Sequence, residues 1–340
     1  MPTYTLSNNV QFFFEDTGAP AAQEYTTFFV VHGHTYHSGL FKKLLQVAHA
    51  HSHRMIAVNR REYAGSTPYS EAELKVFADG SDEERYKLLI SEGSNLALLL
   101  DGLIDSLSLP EKGDIAIVGW SLGNIFTIPL LASINMLPQQ VQDRLGLHVK
   151  RTIIWDAPSQ PLGIPSPPEA YNPLWDEELA PEARGVEFGK WLTYYFVHGD
   201  LSNHDMKEFN YRYNNPNKKR TFEDLPLEEL FKIIDLSPGA KCDTPLCEPP
   251  FAKAERDIVE RALFNNETRA AWHGMKVWHI LGDANAWNVY LAAWKLEEQV
   301  RAAASPEPAV NFTVMKGANH FGMWDDPEAA VNRFEFCLKA

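Results

Sequence analysis

Gly119-Trp120-Ser121-Leu122-Gly123 follows the apolar run Asp114 to Val118 (DIAIV) without a break and leads straight into the apolar segment Leu122 to Ile134. The run before it is short and rich in β-branched residues, as in a buried strand, and the longer segment after it reads as a helix. A serine flanked by glycines at such a strand-to-helix turn has a physical reason. The turn holds its central residue in a strained backbone conformation, and Gly119 and Gly123 leave room for the helix to pass the strand. Ser121 is then presented at the carboxyl end of its strand, near the positive end of the following helix. There the Leu122 N–H can donate to an oxygen that carries negative charge.

Outward from this turn the chain alternates between short apolar runs and longer amphipathic ones. Val10 to Glu15, Thr26 to Val31 (TTFFVV), Arg54 to Val58 (RMIAV), Val149 to Trp155, Lys276 to Leu281 (KVWHIL) and Val310 to Val314 read as strands. Leu40 to Ala50, Asp82 to Leu107, Val289 to Ala303 and Pro327 to Leu338 read as helices, with Asp79-Gly80-Ser81-Asp82 as a loop and helix cap. This pattern predicts an α/β fold with a mainly parallel sheet covered on both faces. From Pro158 to about Gly274 the alternation stops. A Pro-rich stretch (PSQPLGIPSPPEAYNP) opens that region, and aromatic segments such as Glu187 to His198 (EFGKWLTYYFVH), read as helical, follow. The expected organisation is a core from 1–158 and 274–340, with a helical cap insertion at 159–273.

Two further motifs sit on loops after strands. His32-Gly33-His34-Thr35 follows TTFFVV, and glycine there lets the chain turn so that the His34 N–H points toward the serine as a second donor. Gly317-Ala318-Asn319-His320-Phe321 follows the last strand, which places His320 where a general base for Ser121 is expected, within hydrogen-bonding reach of it. Taken together and in this order, these motifs resemble the α/β-hydrolase superfamily. Asn59-Arg60-Arg61-Glu62-Tyr63-Ala64-Gly65-Ser66-Thr67 is similar to that family's D-x-R-G-x-G-x-S segment, with Asn59 and Glu62 as departures, and Leu6 to Gly18 resembles its first hairpin. The resemblance implies an eight-stranded, mostly parallel sheet flanked by helices, with a cap domain. It also implies chemistry on carboxylic esters, lactones or thioesters through an acyl-enzyme. A serine at the elbow points away from the epoxide hydrolase and dehalogenase branches, whose nucleophile is a carboxylate.

The residue that orients His320 has two candidates. Capped family members carry an acid after the seventh strand in a G-x-x-D pattern, and here Leu281-Gly282-Asp283-Ala284-Asn285 puts Asn285 at that position with Asp283 two residues early. A subset of the family resembles a second arrangement, with the acid at the end of the sixth strand, in Ile153-Ile154-Trp155-Asp156-Ala157-Pro158. Asp156 is the expected acid and Asp283 the alternative, because geometry rather than chain order defines this role. Aromatic residues of the insertion (Tyr171, Trp175, Phe188, Trp191, Tyr194, Tyr195, Phe196) are candidates for pocket lining as well as for packing, and Trp120 is expected to pack beneath the elbow.

Composition narrows the classes further. Of the 340 residues 45% are hydrophobic and 22% charged, and the formal net charge is −14, which argues against nucleic acid and anionic membranes as partners. No apolar run approaches the roughly 20 residues of a membrane span, and Met1-Pro2-Thr3-Tyr4 lacks a secretory pattern. Three cysteines fit free thiols in the cytosol better than a framework, although a Cys242–Cys247 bridge is conceivable. No metal site is expected from His49, His51 and His53, and no nucleotide fingerprint follows a strand. The expected partner is a small-molecule substrate, with no cofactor; oligomeric state stays open, a homodimer included. Two other classes use the same scaffold: a hydroxynitrile-lyase type of enzyme, and a ligand-binding protein without turnover.

Overall fold

Phe28-Phe29-Val30-Val31 is wholly buried, and its side chains alternate between two separate hydrophobic clusters. Phe29 and Val31 face one cluster while Phe28 and Val30 face the other, as a strand with apolar layers on both faces requires. The structure is a computed structural model describing residues 2–110 and 114–340. Its strands are β1 (Thr3–Thr5), β2 (Gln11–Asp16), β3 (Thr27–Val31), β4 (Arg54–Val58), β5 (Ile115–Trp120), β6 (Val149–Trp155), β7 (Lys276–Gly282) and β8 (Asn311–Met315). They form an 8-stranded sheet in the order β1-β2-β4-β3-β5-β6-β7-β8. β1 and β2 are antiparallel to their neighbours, and every pairing from β4 to β8 is parallel.

Helices α1 (Lys42–Ala50), α2 (Glu71–Asp79), α3 (Asp82–Ser106), α4 (Asn124–Ala132) and α5 (Gln139–His148) connect the first six strands. Ser70 and Ser81 start α2 and α3 with complete capping boxes to Glu73 and Glu84. The long stripe of α3, including Leu89, Leu96, Leu100 and Leu103, packs with α4 against one face of the sheet. Helices α1, α10 (Trp287–Ala302) and α12 (Pro327–Lys339) supply the other cluster.

Between β6 and β7 no strand occurs among the described residues, only short helices and 3-10 turns. These include α6 (Pro181–Leu192), α7 (Leu227–Leu230), α8 (Ala252–Val259) and α9 (Asn266–Ala271); α11 (Gly322–Asp325) follows β8. The helix expected through His198 ends at Leu192. The Thr193 carbonyl accepts from Thr221 N–H and Asn319 Nδ2 instead of continuing a helical ladder. Tyr194, Tyr195 and Phe196 therefore stand on an irregular segment. The three cysteines are free thiols, so Cys242 and Cys247 are not bridged. No helix among the described residues is long and apolar enough to cross a membrane.

Candidate active site at the carboxyl ends of the strands

Ser121 lies between β5 and α4 with φ 54°, the left-handed region that a side-chain-bearing residue rarely enters. Its neighbours explain how the chain holds it there. A Cβ on Gly123 would run into the carbonyl of Val31, and one on Gly119 into the Thr127 hydroxyl. The close approach of α4 to β3 and β5 thus depends on both glycines. Gly33, on the loop after β3, lies against the serine itself: a Cβ there would stand 2.8 Å from Ser121 Cβ and 3.2 Å from Trp120.

His320 is buried on the loop between β8 and α11. Trp120 fixes that loop from below, with its indole Nε1 donating to the His320 carbonyl at 2.9 Å and its ring 4.9 Å from the imidazole. Trp120 also packs on Tyr36, Phe41 and Phe321, so the residue beside Ser121 is a buttress. Ser121, Leu122, His34 and His320 line one cavity. The hydrogen-bond chain among them is open: neither ring nitrogen of His320 has a partner, and neither does Asp156 Oδ2. Burial alone pushes the imidazole down to about 3.

The two candidate acids differ sharply. Asp156, at the tip of β6 with φ 46°, is fully buried, and its Oδ1 accepts from Gly282 N–H at 2.8 Å. Burial pushes its carboxyl up to about 8, against the lowering effects of the Gly282 N–H and the nearby Asn285 side chain. Asp283 is partly exposed and committed elsewhere. Its Oδ1 accepts from Gly317 N–H at 2.5 Å, and Lys316 Nζ lies 3.9 Å from its Oδ2. Asn285, at the position where capped relatives of the resemblance carry the acid, lines the serine cavity.

The loop after β3 is anchored by a network that sequence reasoning missed. Arg60 Nε donates to the His32 carbonyl at 3.1 Å and Nη2 to the Gly33 carbonyl at 2.9 Å. The Arg60 N–H donates to His32 Nε2 at 3.0 Å, which leaves the ring proton on Nδ1, 2.9 Å from the Gly33 carbonyl. Arg60 also forms a two-pronged ion pair with Asp243 of the β6–β7 segment, which accepts from Tyr63 Oη at 2.5 Å as well. Burial opposes the Asp243 charge, yet the guanidinium holds its carboxyl well below the ordinary range. The His34 ring contacts Thr35 Oγ1 at 2.7 Å and Thr244 Oγ1 at 3.1 Å, with Phe188 edge-on to it.

Of the aromatic candidates, Trp175 and Phe188 line the serine cavity, with Leu174, Leu192 and Val289 completing its apolar wall. Tyr195 instead donates to Asp325, Trp191 donates to the Tyr211 carbonyl, and Tyr171 lines a separate surface groove. His51 and His53 contact Glu328 and Glu335. Among the described residues, no group of three or more His, Cys, Asp or Glu is placed to hold a metal ion.

Comparison with known proteins agrees with this architecture. No curated protein matches the chain. An esterase from Exiguobacterium antarcticum superposes with a TM-score of 0.55 at 13% identity, covering 99% of each chain. A putative aryl esterase from Burkholderia cenocepacia gives 0.53 at 14% identity, covering 100% of this chain and 99% of that one. A laboratory-evolved variant of a potato epoxide hydrolase gives 0.53 at 15%, again covering 100% and 99%. At such identities the likeness is one of fold. The alpha/beta hydrolase family profile matches residues 28–334, nearly the whole chain, and the sheet order and the serine turn agree with it, so this protein belongs to the alpha/beta hydrolase family.

Proposed function

We propose that the protein is a serine hydrolase that cleaves a carboxylic ester, lactone or thioester of a small to medium, largely apolar substrate through an acyl-enzyme. The observation that carries this reading is the strained Ser121, buried but open to one cavity that it shares with His320. His320 takes the proton from Ser121 Oγ as the oxygen attacks the substrate carbonyl. The tetrahedral oxyanion is held by the Leu122 and His34 N–H groups. Collapse expels the alcohol or thiol, which receives the proton from His320, and leaves an ester on Ser121. Water, deprotonated by the same imidazole, repeats the sequence and releases the acid.

Asp156 is the positioning acid in this reading, because its Oδ2 is unpaired and buried whereas Asp283 already serves the β8 turn. Burial disfavours both charges separately, pushing Asp156 up and His320 down. A hydrogen bond between carboxylate and imidazolium reverses both effects, since each charge offsets the other's lost hydration. The segment between β6 and β7 supplies the apolar wall as a cap. The test is a panel of p-nitrophenyl esters, lactones and thioesters with wild type, Ser121→Ala and His320→Ala. A p-nitrophenol burst matching the enzyme concentration, lost in Ser121→Ala, is expected. Turnover that survives Ser121→Ala, or no turnover of any of the three classes, overturns the assignment.

A further inference from the structure

The cavity at the nucleophile is narrow, about 30 Å³, room for one or two water-sized groups. A second cavity of about 360 Å³ lies beside it, and the two share Gln160, Trp175 and Cys247 as lining residues. The volume of the second is that of a small-ligand site, and its surface is mostly apolar, with Ile164, Pro165 and Pro249 in the wall. Its charged groups are both acidic. Glu248 is exposed, whereas Glu255 is buried, 3% exposed, and its Oε1 has no hydrogen-bond partner among the described residues. No lysine or arginine lines this cavity, and the neighbouring Arg256 donates through Nη1 to the Gly163 carbonyl at 2.9 Å rather than to Glu255.

A buried carboxyl oxygen without a hydrogen-bond partner is costly. Burial raises its proton affinity well above the ordinary range, with Arg256 opposing only in part. A cation brought into the cavity would relieve that penalty by pairing with the carboxylate. The Trp175 ring adds a face to which cations are drawn.

We propose that the second cavity is a distal subsite for a basic nitrogen: Glu255, aided by Glu248 and Trp175, receives an ammonium group carried on the apolar chain of the substrate. This rests on the hydrolase reading above, which it deepens by naming a substrate class, an ester with a protonated amine remote from the scissile carbonyl.

The experiment measures binding apart from turnover. Hexylammonium and 1-hexanol are titrated calorimetrically into wild type, Glu255→Gln and Trp175→Leu, with melting temperature as the folding control. The same two probes are tested as inhibitors of p-nitrophenyl butyrate hydrolysis by wild type. Hexylammonium is expected to bind wild type at least tenfold more tightly than 1-hexanol, to compete with the ester, and to lose that preference in Glu255→Gln. Trp175→Leu is expected to weaken it three- to tenfold, and decides the matter should Glu255→Gln fail to fold. Equal binding of the two probes to wild type, hexylammonium binding undiminished in both variants, or inhibition that does not compete with the ester overturns the proposal. Glu255-dependent binding of hexylammonium by a protein that hydrolyses no ester would leave the cation site standing and remove the hydrolase reading. Ser121-dependent hydrolysis without a preference for the cation would do the reverse.

Discussion

Arg60 and Asp243 form a buried two-pronged ion pair, Nη1 to Oδ1 at 3.0 Å and Nη2 to Oδ2 at 2.8 Å, across 183 residues of sequence. The same guanidinium holds the His32 and Gly33 carbonyls, so one side chain ties the β6–β7 segment to the loop that carries the His34 N–H. Removing one partner of such a pair leaves an uncompensated buried charge or an empty carbonyl cradle, which typically costs ~3–5 kcal/mol. Arg60→Met and Asp243→Leu should each lower the melting temperature by about 4–7 °C, and the double variant should lose less than the sum of the two. Arg60→Met should also lower kcat, because the loop loses its anchor. Thermal melts of the four proteins of this cycle check it, and strictly additive losses would show that the two side chains do not act as a pair.

If Asp156 supports His320 as proposed, Asp156→Asn should reduce kcat/KM by about 10²–10⁴-fold, since an amide cannot stabilise the imidazolium of that mechanism. Asp283→Asn should change kcat/KM by less than about threefold. Its effect should appear in stability instead, because Asp283 accepts from Gly317 N–H and stands near Lys316. Kinetics of the two variants on one ester separate the assignments; a crippled Asp283→Asn beside an active Asp156→Asn would transfer the role of the acid.

The elements that a local pattern determines were legible in the chain. TTFFVV and DIAIV read as strands because β-branched and aromatic residues have no polar face to turn outward, and Asp82 starts α3 as read, with Ser81 capping it. β1 is three residues long and gives no period to detect. α5 buries only Val141, Leu145, Gly146 and His148, too sparse a stripe to announce a helix. The end of α6 at Leu192 is set from outside by Thr221 and Asn319, which no local propensity reports. The turns that carry Ser121, Leu122 and His34 were legible because a Cβ on Gly119, Gly123 or Gly33 would strike neighbouring atoms, and Gly317, at φ 69°, marks the turn before His320. Asp243 was not, since its partner lies on a distant loop and its own surroundings, Lys241-Cys242-Asp243-Thr244, carry no motif.

Gly33→Ala tests the contact between the loop and the nucleophile. The added Cβ would stand 2.8 Å from Ser121 Cβ and 3.2 Å from both Ser121 Oγ and Trp120 Cε3, closer than carbon atoms pack. Trp120 is locked by its bond to the His320 carbonyl and cannot retreat, so the loop has to move away from the serine. In the proposed mechanism the His34 N–H then leaves the oxyanion position. A drop in kcat of about 10–10³-fold is expected, the scale of losing one oxyanion donor, with the secondary-structure content unchanged by circular dichroism. An alanine variant with wild-type kcat would remove His34 from the oxyanion hole.

The opposite shifts of Asp156 and His320 predict opposite pH dependences of stability when each is neutralised. With the hydrogen bond to His320 unmade, as in the structure, Asp156 is held at about 8 in the folded protein against an ordinary value of 3.8, so the fold keeps a proton that the unfolded chain releases. Its contribution to stability is complete below pH 3.8 and is lost as pH rises toward 8, at no more than about 1.4 kcal/mol per pH unit. His320 is held at about 3 against 6.5, so the fold refuses a proton that the unfolded chain accepts. Its neutral form costs nothing above pH 6.5, and stability is lost as pH falls from there toward 3. The melting temperature of Asp156→Asn relative to wild type should therefore rise from pH 5 to pH 8, because the asparagine has no charge to bury. That of His320→Gln relative to wild type should fall over the same range, because its advantage lies at pH 5. Differential scanning fluorimetry across the interval measures both slopes. Two variants whose offsets from wild type stay constant with pH would mean that neither group is desolvated as its burial implies.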